Sequence, residues 1–287
     1  MDLSAVVINY KSRDALADCL EALLADARAS ALALETLVID NDSRDGTAEM
    51  MAARFPGIRL IANSDNVGYA RAVNQGVAAT SAPFVLVLNP DCVPLAGSLA
   101  ALLGHLLGHP KAAMAGAQLL NTDGSIEYSA RSFPGFFTFL FNRYSLLTRL
   151  FPSNPWSRRY LMSDWDHSSV REVDWMSGAC MLVRREAIAA VGGMDEKFFM
   201  FNEDVDWCRR FHQAGWANVY VPAARVTHHI GASRSKVAPR VIWSRHLGMI
   251  RYFRKHHSRH PVLVALVAAA VMTRAVLMLA HNAVRTR

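Results

Sequence analysis

Acidic and amide residues recur in this chain where short apolar runs end. Asn89-Pro90-Asp91 follows the apolar run 84–88. A carboxylate on a proline-stiffened turn at a strand end can hold a hard divalent cation, because magnesium takes one or two carboxylates and fills its remaining positions with phosphate oxygens. The plain alternative for Asp91 alone is a solvated turn. Asp40 closes the run 36–39 and opens Asp40-Asn41-Asp42-Ser43-Arg44-Asp45-Gly46-Thr47. Asp45 or Thr47 can cap the helix that follows, which leaves Asp40 without a capping role. Its carboxylate can accept a hydrogen bond from the imide N–H of a pyrimidine; a turn rich in Asx residues is the competing account.

Glu203, Asp204 and Asp206 fall in the first turn of a predicted helix behind Phe198-Phe199-Met200-Phe201. Acids suit a helix N-terminus for dipole reasons alone. Asp204, however, shares a helical face with apolar Cys208 and Phe211, whereas Asp206 is spaced to pair with Arg210. A carboxylate on the inward face, near other acids, has a raised pKa and can act as a general base. His228 and His229 follow another strand-like run. One of two adjacent histidines faces away; the other can meet a metal or a phosphate, although a lone histidine is more often structural.

Positioning these groups requires an ordered scaffold, and the first half supplies one. Runs 3–8, 36–39, 58–62 and 84–88 read as buried strands, separated by helical patterns over 14–28, 47–55 and 68–79. Strands alternating with helices imply βαβ units and a mostly parallel sheet, with the very apolar run 84–88 at its centre. Ligands of such sheets bind outside the carboxyl ends of the strands. The polar clusters at 40–45, 65–74 and 89–91 all lie on that edge. Further on, 133–151 reads as an irregular apolar insertion. Residues 173–183 resume as a strand interrupted by Ser177-Gly178. Asn202 is expected to cap a helix over 203–214, and 219–226 is the last strand. The tail from 237 reads as two helices broken at Pro261.

Composition fits one large domain with an appendage. The 287 residues are 52% hydrophobic and 19% charged, with a net charge of +7. A basic balance suits anionic partners. Cys19, Cys92, Cys180 and Cys208 form no C-x-x-C pair and match no zinc spacing, so free thiols in a reducing compartment are expected. Met1-Asp2-Leu3-Ser4 carries no basic n-region, which suggests a cytoplasmic protein.

The ordered motifs resemble the family 2 glycosyltransferases of the GT-A fold, in their bacterial rhamnosyltransferase-like branch. The matching segments are Val6-Val7-Ile8-Asn9-Tyr10, 38–47, Asn66-Val67-Gly68-Tyr69-Ala70-Arg71-Ala72-Val73-Asn74-Gln75-Gly76 and Leu88-Asn89-Pro90-Asp91. They continue through 178–185, 193–199, 203–210 and His228-x-x-Gly231-x-Ser233. Each motif is weak alone; the ordered set, over about residues 3–235, is specific. The resemblance implies a mixed, mostly parallel α/β sheet flanked by helices. Residues 1–235 would form the catalytic domain, with a nucleotide-sugar half over 1–120 and an acceptor half over 121–235; 236–287 would form a membrane-associated tail. It implies that Asp40 reads the donor base, with Asn9, Asp42, Asn66, Gly68, Arg71, Asn74 and Asn89 also on the donor side. Asp91 and His228 would ligate Mg2+ or Mn2+, Asp204 would be the catalytic base, and Glu203, Asp206 and Trp207 would lie toward the acceptor. Many family members carry Asp-x-Asp where this chain has Asn89-Pro90-Asp91, so the first acid is missing here.

The expected reaction is a single in-line displacement that inverts the anomeric carbon, with dTDP-rhamnose the donor suggested by the branch and a lipid-linked or polysaccharide hydroxyl the acceptor. A nucleotidyltransferase would want a glycine-rich loop after the first strand, where this chain has Asn9-Tyr10-Lys11-Ser12. A non-catalytic sugar- or lipid-carrier-binding protein on the same fold is disfavoured by the presence of Asp91 and Asp204. Nucleic acid is not an expected partner, because the basic residues gather in the tail without a base-reading motif. In that tail Arg240, Arg245, Arg251, Arg254, Lys255 and Arg259, with His256, His257 and His260, precede the apolar stretch 262–280. A basic helix beside an apolar one is expected to lie on an anionic leaflet, each basic residue contributing about 1 kcal/mol. Arg274 inside the stretch opposes a full span. The expected location is therefore the inner face of the cytoplasmic membrane.

Overall fold

The computed structural model describes residues 1–139, 150–151, 154–229 and 239–284. The chain opens with β1 (Leu3–Asn9), α1 (Arg13–Ala29), β2 (Leu34–Asp40), α2 (Thr47–Arg54), β3 (Arg59–Ala62), α3 (Tyr69–Ala78) and β4 (Phe84–Leu88). It continues through β5 (Cys92–Pro94), α4 (Ser98–Gly108), β6 (Ala112–Leu120), β7 (Ile126–Glu127), β8 (Ala130–Arg131) and α5 (Pro155–Leu161). Then follow β9 (Arg171–Glu172), β10 (Trp175–Met176), β11 (Cys180–Arg184), α6 (Arg185–Val191), α7 (Glu203–Gln213), β12 (Ala217–His228), α8 (Pro239–His256) and α9 (Pro261–Val284).

One sheet runs β3-β2-β1-β4-β11-β6-β12-β5, with β7 on β6 and β9 on β12. β1 pairs in parallel with β2 and β4, and β6 with β12, while β11 is antiparallel to both β4 and β6. The sheet is therefore mixed and mostly parallel in its first half, with β4 interior and fully buried. Alternate residues feed two apolar layers, as the period of a strand requires. Ala5 and Val7 face Leu16, Leu20 and Leu23 of α1, and the same layer takes Leu99 and Leu102 of α4. Val6 and Ile8 face the layer that holds Ala72 and Val73 of α3, Trp207 and Phe211 of α7, and Tyr252 and Phe253 of α8.

Three sequence expectations need correcting. Residues 173–183 are not one interrupted strand. β10 pairs with β8 in a separate two-stranded sheet and β11 enters the main one, so Ser177-Gly178 is the crossing between them. The last strand runs on to His228, because β5 pairs with its end (Val226↔Pro94, His228↔Cys92). Asn202 does not cap α7 with its side chain: it sits in the left-handed region at φ 69°, and its Nδ2 points to Arg245 O at 3.5 Å.

The tail breaks at Pro261 as expected, but its basic helix is not free. Lys255 Nζ lies 2.7 Å from Asp195 Oδ2 and 2.8 Å from Asp206 Oδ1. Arg240, Arg245 and Arg251 stand over the rings of Phe199, Phe201 and Phe198 at 4.4, 4.5 and 5.8 Å. Gly248 permits this approach: a Cβ there would lie 2.8 Å from Phe201 O. α8 is thus packed onto the main α/β body, its cations directed at aromatic faces and carboxylates. α9 buries Val264, Val271 and Ala275 but leaves Val262, Leu266, Val276 and Leu277 exposed. Among the described residues, Pro261–Ala283 is the helix long and apolar enough to cross a membrane, with a mean hydropathy of 2.4. Of the apolar insertion, residues 140–149 lie outside the described residues; its start forms a short 3-10 turn, Phe136–Phe139, whose Phe136 ring meets Phe253. All four cysteines are buried and unpaired, as expected.

Candidate active site

The strand ends of the first half build a buried polar floor. Asn9 Nδ2 donates to Asp40 Oδ1 (2.7 Å), Ser43 Oγ (3.1 Å) and Thr47 Oγ1 (3.2 Å). Ser43 completes the grip on Asp40 with its hydroxyl, 2.5 Å from Oδ1, and its N–H, 3.1 Å from Oδ2. Asn9 is wholly buried, so it orients Asp40 rather than meeting a ligand itself. Beside this floor lies a cavity of about 500 Å3, lined by Tyr10, Lys11, Asp42, Ser43, Arg44 and Asp45. Asp42 faces this cavity but is paired with Arg44 at 2.7 Å. Asn41, Asn63 and Gln75, which the sequence reading passed over, tie the ends of β2 and β3 to α3. Asn63 Nδ2 donates to Asn41 Oδ1 (2.9 Å), and the Asn63 and Gln75 amides bond reciprocally at 3.0 Å. Amides directly after two neighbouring strands, Asn41 and Asn63, were the available signal.

Asn66 Oδ1 accepts the N–H of Gly68, which starts α3 at φ +88°. A Cβ on Gly68 would lie 2.7 Å from Phe199 O. The N–H of Tyr69 donates to that same carbonyl (2.8 Å), so the segment behind the aromatic run closes onto α3. Arg71 and Asn74, expected on the donor side, have partners across the fold. Arg71 Nε pairs with Glu196 Oε2 at 2.9 Å, and Asn74 brackets Met194, donating to its C=O (2.9 Å) and accepting its N–H (2.8 Å). Three residues apart on one helical face, they clamp the 193–196 loop, with over half of the Arg71 side chain still exposed.

The metal corner assembles where β5 meets β12. Asp91, Cys92 and His228 each offer a ligand atom, all within 4.8 Å of one another. Asp91 Oδ1 is buried with no hydrogen-bond partner; His228 Nε2, at 3.4 Å, is too far to be a good one. An orphaned buried carboxylate oxygen facing an imidazole fits a divalent cation. Burial pushes the Cys92 thiol well above its ordinary value, so Asp91 and His228 are the natural ligands for a hard ion. The other ring nitrogen, Nδ1, lies 2.8 Å from Glu127 Oε2 on β7, a residue absent from the sequence reading. Burial alone would lower the His228 pKa, but the flanking Asp91 and Glu127 carboxylates carry it up to about 9. Asn89 contributes its backbone, donating its N–H to Ala179 O at 2.8 Å and so joining the ends of β4 and β11. Gly231 and Ser233 lie outside the described residues.

Asp204 lies in the first turn of α7. Oδ2 accepts Gly178 N–H at 3.0 Å and Oδ1 accepts Val205 N–H at 2.8 Å. Burial raises its pKa, and these N–H groups with nearby Arg131 only partly offset that. Glu203 is buried beside it with Oε2 unpartnered, its pKa raised by burial and then by Asp204. Tyr69 meets the same glycine. Its hydroxyl donates to Gly178 O at 2.8 Å, and burial, then Glu203, Asp204 and Asp91, hold its pKa up. Asp206 and Trp207 are corrected: Asp206 lies about 200° round α7 from Asp204, and both Asp206 and Trp207 are fully buried. Asp206 is fully buried among Arg210, Lys255 and His256, which hold it down to about 2 despite burial. The Asp206–Arg210 pair was expected from spacing; an acceptor role was not compatible with it. Trp207 Nε1 donates to Gly192 O at 3.0 Å inside the core.

The family model described as glycosyltransferase like family 2 matches residues 2–242. The N-acetylglucosaminyl-diphospho-decaprenol L-rhamnosyltransferase of Mycobacterium tuberculosis (strain ATCC 25618 / H37Rv) is 35% identical over 236 residues, 78% of this chain and 76% of its own. Rhamnosyltransferase WbbL of Escherichia coli (strain K12) is 44% identical over 57 residues, 20% of this chain and 22% of its own. The structure of mannosyltransferase PcManGT from Pyrobaculum calidifontis in complex with GDP-Man and Mn2+ superposes with a TM-score of 0.59 at 16% identity, covering 99% of this chain and 79% of that one. GalNAc-T7 with UDP, GalNAc and Mn2+ gives 0.65 at 14% identity, with 88% of this chain covering 48% of that one. These likenesses establish the GT-A fold. With its family model and its 35%-identical relative each spanning most of its length, the chain belongs to glycosyltransferase family 2, in the rhamnosyltransferase-like branch.

Proposed function

We propose that this glycosyltransferase takes rhamnose from dTDP-rhamnose and transfers it, with inversion, to a hydroxyl of a lipid-linked acceptor in cell-envelope glycan synthesis. The observation that carries the reading is a buried carboxylate, Asp204, tied through Gly178 to Tyr69, in the same fold as the Asp91–His228 pair with its orphaned carboxylate oxygen. A buried base and a cation corner are the two parts that an in-line displacement needs. The acceptor oxygen gives its proton to Asp204 and attacks the anomeric carbon, while the bond to the departing diphosphate breaks on the far side. Asp40 and the adjoining cavity take the nucleoside. Asp91 and His228 would hold Mg2+ or Mn2+, which supplies charge neutralisation to the leaving diphosphate. The N-terminal half to about residue 120 binds the donor, and the rest of the catalytic domain, to about 235, shapes the acceptor side. The named activity of the mycobacterial relative supports both the sugar and the lipid-diphosphate acceptor.

The exposed face of α9 supports a peripheral position at the inner face of the cytoplasmic membrane, where a lipid-linked acceptor presents its sugar end. The deciding experiment offers the purified chain a panel of nucleotide sugars with a lipid-diphosphate-linked GlcNAc acceptor. Transfer from dTDP-rhamnose, with NMR showing the opposite anomeric configuration to the donor, is expected. Transfer from a different nucleotide sugar alone, or a retained configuration, overturns the corresponding part of the reading.

A further inference from the structure

The metal corner contains one carboxylate that the family motifs do not supply. Glu127 lies on β7, a two-residue strand that returns on the end of β6 (Leu119↔Glu127, Leu120↔Ile126). The turn between them is well fixed. Asn121 and Ser125 bond through their backbones (2.8 Å), and Asp123 Oδ1 accepts both the N–H and the hydroxyl of Ser125. On the other flank of β6, β12 carries His228 in register with Cys92 of β5. Glu127 and His228 therefore arrive from two strands that share β6 as a neighbour, and their side chains meet at 2.8 Å.

The two ring nitrogens of His228 are treated differently. Nδ1 is within hydrogen-bond distance of Glu127 Oε2, whereas Nε2 stands 3.4 Å from Asp91 Oδ1, an oxygen that is buried and unpartnered. The ring is thus tethered on one side and open on the other. A ligating imidazole needs this arrangement: one N–H donated to an acceptor, so that the other nitrogen presents its lone pair in a fixed direction. We infer that Glu127 is a positioning residue for the cation site, holding His228 through Nδ1 so that Nε2 faces Asp91 and the pair binds a divalent cation tightly. The inference rests on the reading of Asp91 and His228 as the cation ligands. It assigns to Glu127 no contact with donor or acceptor.

The test measures Mn2+ binding directly, by titrating MnCl2 into the full-length chain and following free Mn2+ by electron paramagnetic resonance, alone and with dTDP, UDP or GDP. Glu127→Ala is expected to weaken Mn2+ binding about 10–100-fold. Glu127→Gln, whose side-chain carbonyl can still accept Nδ1–H, is expected to restore most of that loss. Glu127→Asp, which withdraws the carboxylate by one methylene, is expected to bind less tightly than Glu127→Gln. Nitrogen-15 NMR of the imidazoles should show the Nδ1-protonated form of His228 in the metal-bound wild type. Should the alanine variant fail to fold, the order of the Gln and Asp variants decides: Asp tighter than Gln means that negative charge, not ring orientation, matters, and overturns the inference. Wild-type affinity in Glu127→Ala overturns it as well. If the wild type binds no Mn2+ with any of the nucleotides, the cation reading of Asp91 and His228 falls, and this inference with it.

Discussion

Tyr69 and Asp204 are held by the two polar backbone groups of one residue. The Tyr69 hydroxyl donates to Gly178 C=O at 2.8 Å, and Gly178 N–H donates to Asp204 Oδ2 at 3.0 Å. Gly178 lies in the crossing from β10 to β11, α3 supplies Tyr69, and α7 supplies Asp204. Three segments distant in sequence are thereby locked in one geometry around the proposed base. Asp204→Asn should lower turnover about 10²–10⁴-fold with donor binding retained, because an amide cannot take the acceptor proton. Tyr69→Phe, which loses a single hydrogen bond worth about 1 kcal/mol, should lower it by roughly tenfold or less. The kcat/KM of the wild type should rise with pH through an apparent pKa above the ordinary aspartate value, since burial raises that of Asp204 and its base form is the active one. Steady-state kinetics with isothermal titration of the donor separates these effects.

Metal removal should abolish transfer, and Mg2+ or Mn2+ should restore it. Asp91→Ala should behave like chelated wild type, because its orphaned Oδ1 faces the open side of His228. Full activity in excess chelator would exclude the cation.

Asp206 should matter for stability rather than for turnover chemistry. Its carboxylate holds Lys255 and His256 of α8 against Arg210 of α7. Removing one partner of a buried charge cluster costs about 3 kcal/mol or more, so Asp206→Asn should lower the unfolding free energy by that order. The pH dependence has a definite sign. The folded-state pKa of about 2 lies below the value of about 3.9 expected unfolded. The contribution is fully present above about pH 4 and is lost as pH falls from there through about 2. Chemical denaturation of wild type and variant at neutral pH and near pH 2 should show the difference shrinking in acid.

Gly68→Ala should cost about 1–3 kcal/mol. The backbone there is left-handed at φ +88°, and the added methyl would lie 2.7 Å from Phe199 O. Since the 198–201 run leads directly into Glu203 and Asp204, weakened transfer is expected alongside a lower thermal midpoint. Calorimetry and a transfer assay on the same preparation check both.

Full-length protein should float with anionic liposomes. A chain ending at His260, which lacks α9, should remain folded and stay behind. Truncation before α8 should instead destabilise the catalytic domain, because Tyr252 and Phe253 are buried in its core and Lys255 reaches Asp195 and Asp206. Flotation at low salt, with circular dichroism of each truncation, distinguishes an apolar anchor from a structural helix.

The alternation of elements in the first half is legible from local pattern alone. Strand and helix periods are local properties, and the boundaries of β1, β4 and α3 fall close to where their apolar patterns end. The polar character of the sheet's ligand edge is legible in the same way, because Asp40 and Asp91 directly follow apolar runs. Helical spacing was sufficient to separate Asp204 from Asp206 and to pair the latter with Arg210. Which polar residues have partners across the fold emerges from long-range packing. Asn9, Arg71 and Asn74 carry the same chemistry as ligand-binding residues, and their partners Asp40, Glu196 and Met194 become visible only when distant segments pack. The same holds for the tail. Three of its arginines, Arg240, Arg245 and Arg251, stand over the rings of Phe199, Phe201 and Phe198, contacts that spacing alone does not reveal. Glu127 was beyond sequence reasoning altogether, because a lone glutamate after a turn acquires a role only from the strand that brings His228 to it. Pattern fixes what a segment can form; which side chain meets which depends on contacts between residues far apart in the chain, and those exist only in the folded molecule.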